Sequence, residues 1–301
     1  MTPAVRGHNI HGVILLDKPA GRSSNQALQD VKRLFSARKA GHTGSLDPFA
    51  TGMLPICLGE ATKTAGFMLD ADKAYRATAR LGTATATGDT EGEVVTEEAV
   101  PDLSEADIET VLADFEGVIE QVPPMYSALK HEGKPLYRLA REGREVERDA
   151  REVTIHSLVL ESWQPPRLIF RVECSKGTYV RTLAEDLAKA LGSCAHLESL
   201  RRLSVTPFDP DAMVTLEVLE AAGVAGRQLD YLLPTDAGLE HWPKAEITEG
   251  QAARFRHGNP VIVDDQQPGM VRVYEQGGRI LGIGETRTDN QTYPKRIFLL
   301  D

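Results

Sequence analysis

The sequence predicts an α+β fold with a mixed β-sheet, flanking helices and a small β-rich module at its C-terminal end. Strand-like and helix-like segments are interspersed without the regular alternation that produces a doubly wound parallel sheet. Two proline-containing segments, Leu233-Pro234-Thr235-Asp236 and Trp242-Pro243, mark a boundary. Short apolar runs punctuated by glycines follow it over about 60 residues, a size that suits a small domain. We therefore expect a large domain over residues 1–238 and a small one over 239–301.

The first elements follow from local signals. An apolar run at 13–16 ends at Lys18-Pro19, which is typical of a buried strand leading into a turn. Ser23 and Ser24 can cap a helix whose apolar residues are Leu28, Val31, Leu34 and Phe35. The segment 39–55 is rich in glycine and proline and has no sustained period, so it is predicted to be a long loop. Loops of that length in a compact domain are usually functional or disordered, and its apolar residues argue against disorder.

Further along, we predict a helix at 60–69, a strand at 74–81 and a helix that begins with a capping box formed by Ser104 and Asp107. The segment 130–152 is dense in charges of both signs, which indicates a solvated, mobile excursion. A strand at 168–173 precedes a turn at Gly177 and a helix closed by Gly192. Strands of the C-terminal module are predicted at 261–263, 271–274, 280–283 and 297–300.

Composition narrows the class of protein. With 301 residues, 41% hydrophobic and 26% charged, the chain has the balance of a soluble globular protein. It contains no apolar run of about 18 residues and no signal-peptide pattern, so we expect a cytoplasmic protein without a membrane partner. The three cysteines are odd in number and widely spaced, which disfavours disulfides and cysteine-based zinc sites.

Charge is distributed unevenly along the chain. The net charge is −10, yet residues 89–120 hold twelve acids and no lysine or arginine, so subtracting them leaves +2 on the rest. Residues 1–46 hold seven bases against two acids. One face could therefore attract a polyanion such as RNA. Charge alone favours the plainer interpretation, in which acidic and basic helices simply cover the surface.

Familiar cofactor motifs do not occur. The sequence has no phosphate-binding P-loop, no dinucleotide-binding glycine pattern, no zinc-protease motif and no nucleophile elbow. His8 and His11 have no nearby cysteine or carboxylate ligands, so no metal site is predicted there. Asp47 is the only acid between Asp30 and Glu60, in the run HTGSLDPFATG. It is either the first residue of an Asx turn before proline or a carboxylate nucleophile on a shaped loop.

Five segments, in order, resemble the motifs of the bacterial tRNA pseudouridine-55 synthases, the TruB-type pseudouridine synthase family. They are GVILLDKPAGRSSN, GHTGSLDPFATG, ADKAYRATARLGTATATGDTEG, CSKGTYVRTLAEDLAKALG and AHLESLRRLSV. The tail from GNPV onward resembles, more weakly, the RNA-binding PUA module. The resemblance implies a mixed, mainly antiparallel sheet with a cleft on its face and a PUA-like domain at 239–301.

The resemblance also implies the activity. A uridine in the T-loop of tRNA, at position 55, would be flipped from its stack and isomerised to pseudouridine. The isomerisation needs no cofactor and no metal. The implied partner is the tRNA T-stem-loop, and the enzyme would act as a monomer without guide RNA or a protein partner. The charged excursion at 130–152 corresponds to a thumb-like insertion that closes on RNA.

The motifs assign three catalytic residues by resemblance. Asp47 is the catalytic residue and must be ionised to attack the uridine, although burial would oppose ionisation. Arg181 would offset this as a permanently charged, bidentate partner. Tyr75 would stack on the uracil and assist loss of the C5 proton. Without the motifs, Arg181 would be interpreted as a surface residue of a helix and Tyr75 as a core residue of a strand.

Four more residues are carried over. Tyr179 and Leu200 would line the uracil pocket, although Leu200 taken alone would be assigned to the core. His42 would fill space near the extruded nucleotide, and Lys18 would support the active-site loop or contact phosphate.

Three other interpretations stay open at this point. The chain could be the catalytic subunit of a guide-RNA-directed pseudouridylase, although such subunits usually lack an insertion like 130–152. It could be an RNA chaperone whose synthase activity is incidental. An acidic two-domain metabolic enzyme is disfavoured because its cofactor motif is missing.

Overall fold

The computed structural model describes residues 8–264 and 266–300. Its strands are β1 (Gly12–Lys18), β2 (Ala40–His42), β3 (Thr51–Leu58), β4 (Lys73–Leu81), β5 (Thr83–Thr85), β6 (Val94–Glu97), β7 (Gly117–Gln121), β8 (Lys130–His131), β9 (Lys134–Pro135), β10 (Arg151–Gln164), β11 (Arg167–Cys174), β12 (Ala195–Val205), β13 (Lys244–Ile247), β14 (Val261–Ile262), β15 (Gly269–Glu275), β16 (Ile280–Thr286) and β17 (Gln291–Ile297). Its α-helices are α1 (Ser24–Leu34), α2 (Ala65–Met68), α3 (Glu105–Asp114), α4 (Leu136–Arg141), α5 (Val180–Ala190), α6 (Leu216–Val224) and α7 (Glu249–Arg256). Four short 3-10 helices cover Gly59–Lys63, Pro210–Ala212, Gln228–Tyr231 and Ala237–Leu239.

The main sheet has eight strands in the order β1-β3-β12-β4-β11-β10-β7, with β2 paired to β3. Its pairings are antiparallel except for β12 against β3, which are parallel. The predicted α+β class, with a mixed and mainly antiparallel sheet, is therefore confirmed. A second, five-stranded sheet in the order β13-β15-β16-β17-β14 forms the β-rich C-terminal part.

Strand β12 lies in the middle of the main sheet, between β3 and β4. On one side Arg202 is paired in register with Gly52, and on the other with Tyr75. Gly52 has a φ of +101°, and a Cβ built on it would lie 2.1 Å from the Arg202 carbonyl oxygen. Only glycine accommodates both the conformation and this close approach. The loop that precedes β3 is thereby held beside β12.

Local capping signals are confirmed. Ser23 is the N-cap of α1 and forms a capping box with Gln26, while Ser104 and Asp107 form the one that begins α3. Helix α5 ends next to Gly192, which has a φ of +78°. These signals act over three or four residues, so the sequence alone suffices to place them.

Several predicted elements are wrong in extent or type. The predicted loop at 39–55 contains β2 and the first residues of β3, so that Gly41 and Gly52 lie within paired strands and only residues 43–50 form a loop. The predicted helix at 60–69 is a 3-10 helix followed by the single turn of α2. The predicted strand at 297–300 is displaced, because β17 ends at Ile297. The sequence patterns do not predict β10, β12, β13 or α7, and in β12 the interior arginines mask the alternating pattern of a strand.

The charged excursion lies between β7 and β10, which pair so that Gln121 faces Arg151 across one rung. It contains the β8–β9 hairpin and helix α4, whose Leu136 and Leu139 are buried. Its charges predict a fully solvated segment, but part of the excursion is packed. Its mobility stays a prediction.

The C-terminal sheet has an apolar core of its own, formed by Ala245, Ile247, Ala252, Phe255, Val261, Val263, Val271, Val273 and Leu281. A second cluster joins it to the main sheet, with Ile283 and Phe298 packed among residues such as Leu15, Met53 and Leu239. Arg272 also pairs with Asp236 at 3.0 Å. The division into 1–238 and 239–301 stays an interpretation. Residues 1–7, 265 and 301 of these ranges lie outside the described part. Among the described residues, no helix is long and apolar enough to cross a membrane.

Candidate active site

A cleft of about 480 Å³ opens on the face of the main sheet, between the loop that carries Asp47 and the first turn of α5. Five of the seven predicted site residues line it: Asp47, Tyr75, Tyr179, Arg181 and Leu200. Lys18 and His42 are not among the lining residues. The structure therefore brings together residues from four separate segments. Lys18 and His42 lie next to the Asp47 loop instead.

The Asp47 loop is held from both sides by side chains that precede it in the chain. Ser24 accepts a hydrogen bond from the Leu46 main-chain nitrogen at 2.7 Å and donates to the Leu46 carbonyl at 2.9 Å. Lys18 is fully buried and donates to the carbonyls of Pro19, Arg22 and Pro48 at 2.9, 2.6 and 3.2 Å. These contacts are those expected of residues that support the loop. They leave the Asp47 side chain 38% exposed towards the cleft.

Lys18 is fully buried, and this burial lowers its pKa to about 8. The nearby Asp47 carboxylate opposes the effect by favouring the charged amine. At pH 7 the amine is therefore mainly protonated, so it can act as the donor in all three hydrogen bonds.

Arg181 is the direct partner of Asp47. Its side chain is 4% exposed, and its Nε lies 3.0 Å from Oδ2 of Asp47. Its two terminal nitrogens donate to the main-chain carbonyls of Thr87 and Tyr126 at 2.6 and 2.7 Å. The predicted bidentate contact with Asp47 is thus wrong, because the guanidinium divides its donors between the carboxylate and two loops. The alternative of a surface arginine is wrong as well.

Asp89 is a buried acid that sequence reasoning missed. It is 3% exposed, and its Oδ2 lies 3.7 Å from Nη1 of Arg181. Its Oδ1 accepts hydrogen bonds from the Thr87 hydroxyl at 2.5 Å and from the Glu91 main-chain nitrogen at 3.0 Å. The sequence contained a signal, since Asp89 lies within the motif that also carries Tyr75. By composition alone, it is the first acid of the acidic segment.

The charges around Asp47 act in opposite directions. Burial raises the pKa of the Asp47 carboxyl, whereas the neighbouring Arg181 lowers it. Asp89 adds to the rise, while Arg202 and Lys18 lower the value further. The pKa stays above the usual range for aspartate, because burial outweighs the three cations.

Tyr75 and Leu200 come from the adjacent strands β4 and β12, and both are more than nine-tenths buried. The Tyr75 hydroxyl accepts a hydrogen bond from Nε of Arg202 at 3.2 Å. Burial raises the pKa of the Tyr75 phenol, so the side chain is neutral at pH 7. Arg202 is a second buried residue that sequence reasoning had not assigned to the site.

Tyr179 occupies the N-cap position of α5 and is clamped by the buried side chain of Gln121. The Tyr179 main-chain N–H donates to Oε1 of Gln121 at 2.7 Å, and Nε2 of Gln121 donates to the Tyr179 carbonyl at 3.1 Å. The amide thus satisfies two main-chain groups at once and fixes the aromatic residue at the cleft.

His42 is half-buried at the end of β2, immediately before the Asp47 loop. Burial, and then the charge of Arg202, lower the pKa of its imidazole, so the ring is neutral at pH 7. Its Nδ1 atom is buried and has no hydrogen-bond partner in the part of the chain that the structure describes. Within those same residues, no group of three or more His, Cys, Asp or Glu side chains could hold a metal ion.

The fold and the cleft define the class of protein. A crystal structure of a Cbf5–Nop10–Gar1 complex contains a chain similar to this one, with a TM-score of 0.73 and 25% identity, over 96% of this chain and 85% of that chain. A crystal structure of the archaeal box H/ACA sRNP Nop10–Cbf5 complex gives a TM-score of 0.71 and 25% identity, with 97% and 87% covered. The architecture is therefore that of the Cbf5-like pseudouridine synthases.

Sequence comparison narrows this class to a family. Residues 32–180 match the TruB family pseudouridylate synthase N-terminal domain, 181–240 match the tRNA pseudouridylate synthase B C-terminal domain, and 243–298 match the pseudouridine synthase II TruB C-terminal model. A tRNA pseudouridine synthase B from Pseudomonas aeruginosa is 52% identical, with 96% of each chain covered. One from Yersinia pestis is 50% identical over 98% of this chain and 94% of its own. The chain belongs to the TruB family of pseudouridine synthases, which are isomerases.

Proposed function

We propose that this chain is a stand-alone enzyme that converts one uridine in the T-loop of tRNA, at position 55, to pseudouridine. The observation that carries the proposal is the ionisable Asp47 carboxylate, aimed into the cleft and held by Arg181 beside the buried Tyr75 and Leu200. Relatives named tRNA pseudouridine synthase B are about 50% identical over nearly the full length. The chains from the Cbf5–Nop10–Gar1 and box H/ACA sRNP complexes are only 25% identical, which favours a stand-alone enzyme.

The isomerisation conserves every atom of the nucleotide. The bond between C1′ and N1 breaks, the uracil turns, and a bond forms between C1′ and C5, while C5 loses a proton and N1 gains one. Attack at C1′ or at C6 requires the same ionised carboxylate on Asp47. Arg181 fixes the direction of that carboxylate and, with Lys18 and Arg202, favours its charged form in spite of burial.

The apolar walls of the cleft suit a nucleobase. Tyr75 and Leu200 lie on adjacent strands at its floor, and Tyr179 lies at its edge. An aromatic ring can stack on the uracil, and the Tyr75 hydroxyl is available for transfer of the C5 proton. Because a base inside a stacked helix cannot reach residues within a cleft, we expect the target base to be flipped out. His42, just before the loop, would fill the space that the base vacates.

The excursion between β7 and β10 forms part of the wall of the cleft. Tyr137 and Arg141, from helix α4, both line the cleft. Since residues 130–152 hold seven bases and six acids, contact with RNA depends on where these side chains lie and not on net charge. The C-terminal sheet would add contacts to tRNA away from the cleft. That the enzyme is cytoplasmic and monomeric stays a prediction.

The test is incubation of the purified chain with an unmodified T-stem-loop RNA in EDTA and without guide RNA, followed by mapping of pseudouridine. We expect conversion of one uridine, at the position equivalent to 55. A matched RNA in which that uridine is replaced by cytidine should show no product. Lack of conversion, or conversion only after addition of a guide RNA, would overturn the proposal.

A further inference from the structure

Arg202 occupies the centre of the main sheet. It lies on β12, opposite Tyr75 on one neighbouring strand and Gly52 on the other. Its residue surface is only 2% exposed, although its side chain reaches the cleft lining. A charged side chain in such a position is costly unless its donors are satisfied.

The guanidinium makes four hydrogen bonds to three parts of the structure. Nη2 donates to the Ser45 carbonyl at 2.7 Å, and Nη1 donates to the carbonyls of Gly44 and Met53 at 3.3 and 3.2 Å. Nε donates to the Tyr75 hydroxyl at 3.2 Å. One side chain therefore connects the Asp47 loop, the start of β3 and the tyrosine on β4.

All four acceptors are neutral. Among residues 8–264 and 266–300, no carboxylate lies within 4.0 Å of the Arg202 guanidinium, whereas Arg201 next to it pairs with Asp17 through two hydrogen bonds. The positive charge of Arg202 is therefore not neutralised locally. It acts on the Asp47 carboxylate instead, whose ionised form it favours.

The hydrogen bond to Tyr75 also fixes the direction of a proton. Because Nε–H donates to the phenolic oxygen, the hydroxyl hydrogen of Tyr75 has to point away from the guanidinium. The hydroxyl is then presented in one orientation and not as a free rotor. At the same time, the Gly44 and Ser45 carbonyls are fixed two to three residues before Asp47.

We propose that Arg202 is a positioning residue for the isomerisation, which holds the Asp47 loop and the Tyr75 hydroxyl in register with each other. The proposal rests on the function proposed above, because it uses the roles given there to Asp47 and Tyr75. Arg202 touches neither the reacting carbon nor the leaving nitrogen in this scheme. It acts through the two residues that do.

The experiment compares Arg202→Lys with the matched control Arg201→Lys, which changes the neighbouring arginine on the same strand. Lysine keeps the charge but offers one ammonium group in place of a planar fork that binds three carbonyls and a hydroxyl. We expect the single-turnover rate of Arg202→Lys at saturating T-stem-loop RNA to fall about 100-fold, since displacements near 1 Å have effects of that size. RNA affinity should stay within about twofold of wild type, and Arg201→Lys should retain most of the rate.

A double-mutant comparison separates positioning from mere stability. In a Tyr75→Phe background the hydroxyl is absent, so Arg202→Lys should cause a clearly smaller further loss of rate than it does in the wild type. Arg202→Gln serves where the lysine variant does not fold. This substitution removes one cation that acts on Asp47, while Arg181, Lys18 and the opposing Asp89 remain. The pKa of Asp47 should therefore rise, so the rate should increase with pH at a higher pH than in wild type.

The outcomes are distinct. Arg202→Lys with a wild-type rate, equal losses for Arg201→Lys and Arg202→Lys, or full additivity with Tyr75→Phe would each overturn the inference. Wild-type protein that makes no pseudouridine in the same RNA would overturn the proposed function instead.

Discussion

Nε of Arg181 lies 3.0 Å from Oδ2 of Asp47, while the two terminal nitrogens of the same guanidinium donate to the carbonyls of Thr87 and Tyr126. Three separate segments are thus held at fixed distances from one buried group. The position of the carboxylate depends on these main-chain contacts as much as on charge. A flexible ammonium cannot reproduce them.

Arg181→Lys should therefore lose at least about 100-fold in single-turnover rate, with the fold intact by circular dichroism. Arg201→Lys is the suitable control, because that residue pairs with Asp17 away from the cleft lining. Arg202 is not a suitable control, since it is buried against the Asp47 loop. A wild-type rate for Arg181→Lys would show that the pair with Asp47 is dispensable.

Asp47→Asn and Asp47→Glu should both be nearly inactive. Asparagine removes the nucleophilic charge, and glutamate moves it by a methylene group, a displacement that can cost about 100-fold. RNA binding should survive, because affinity comes mainly from phosphate and shape contacts elsewhere. Single-turnover assays and filter binding measure the two properties separately. Substantial turnover by Asp47→Asn would contradict the assignment of the nucleophile.

The raised pKa of Asp47 also predicts an effect on stability. An aspartate whose pKa is higher in the folded state than in the unfolded state favours folding while it is protonated, and that contribution is lost as pH rises through the folded pKa. At pH 7 the ionised carboxylate therefore destabilises the folded protein. Asp47→Asn should have a Tm at or above that of wild type at pH 7, and the difference should shrink as pH is lowered into the acid range. A Tm well below wild type at pH 7 would contradict this.

The C-terminal sheet offers a test of RNA binding that avoids truncation. Removing residues 239–301 would expose the shared apolar cluster around Leu15 and Met53, so the truncated chain should be unstable. Arg254 is exposed, and Arg254→Ala should flatten the plot of log affinity for full-length tRNA against log salt by slightly less than one unit if the residue contacts a phosphate. Arg256, which pairs with Glu275 at 2.7 Å, is the matched control. An isolated T-stem-loop should respond less.

Saturated single-turnover rates should be unchanged in Arg254→Ala, because the assigned site residues lie in the main sheet and its loops. An unchanged salt dependence on full-length tRNA would show that Arg254 makes no phosphate contact.

Local and remote features differ in how well the sequence predicts them. The capping boxes at Ser23 and Ser104 involve residues three apart, and both are found as predicted. Gln121 and Arg202 gain their roles from partners 58 and 127 residues away. No short pattern contains such pairs, because they arise only when distant strands become neighbours.

The sequence locates residues of the cleft where a motif carries them and misses those that only packing brings there. Asp47, Arg181 and Tyr75 were assigned by motif and meet in the cleft. In the sequence, Asp89 is one of twelve acids over residues 89–120, and composition does not distinguish a buried carboxylate from a solvated one. The bidentate geometry expected for Arg181 was wrong, because a sequence does not show which carbonyls compete for a guanidinium.

The excursion begins and ends at one residue pair of the sheet, Gln121 and Arg151. Both ends of the excursion leave the sheet at the same point, so its length can change without shifting any strand register. Each doubling of a flexible loop costs only about 0.6 kcal/mol of closure entropy. Excursions from other members of the family could therefore be grafted at this rung. Such chimaeras should differ in which RNAs they bind, while the site residues of the main sheet and its loops stay the same.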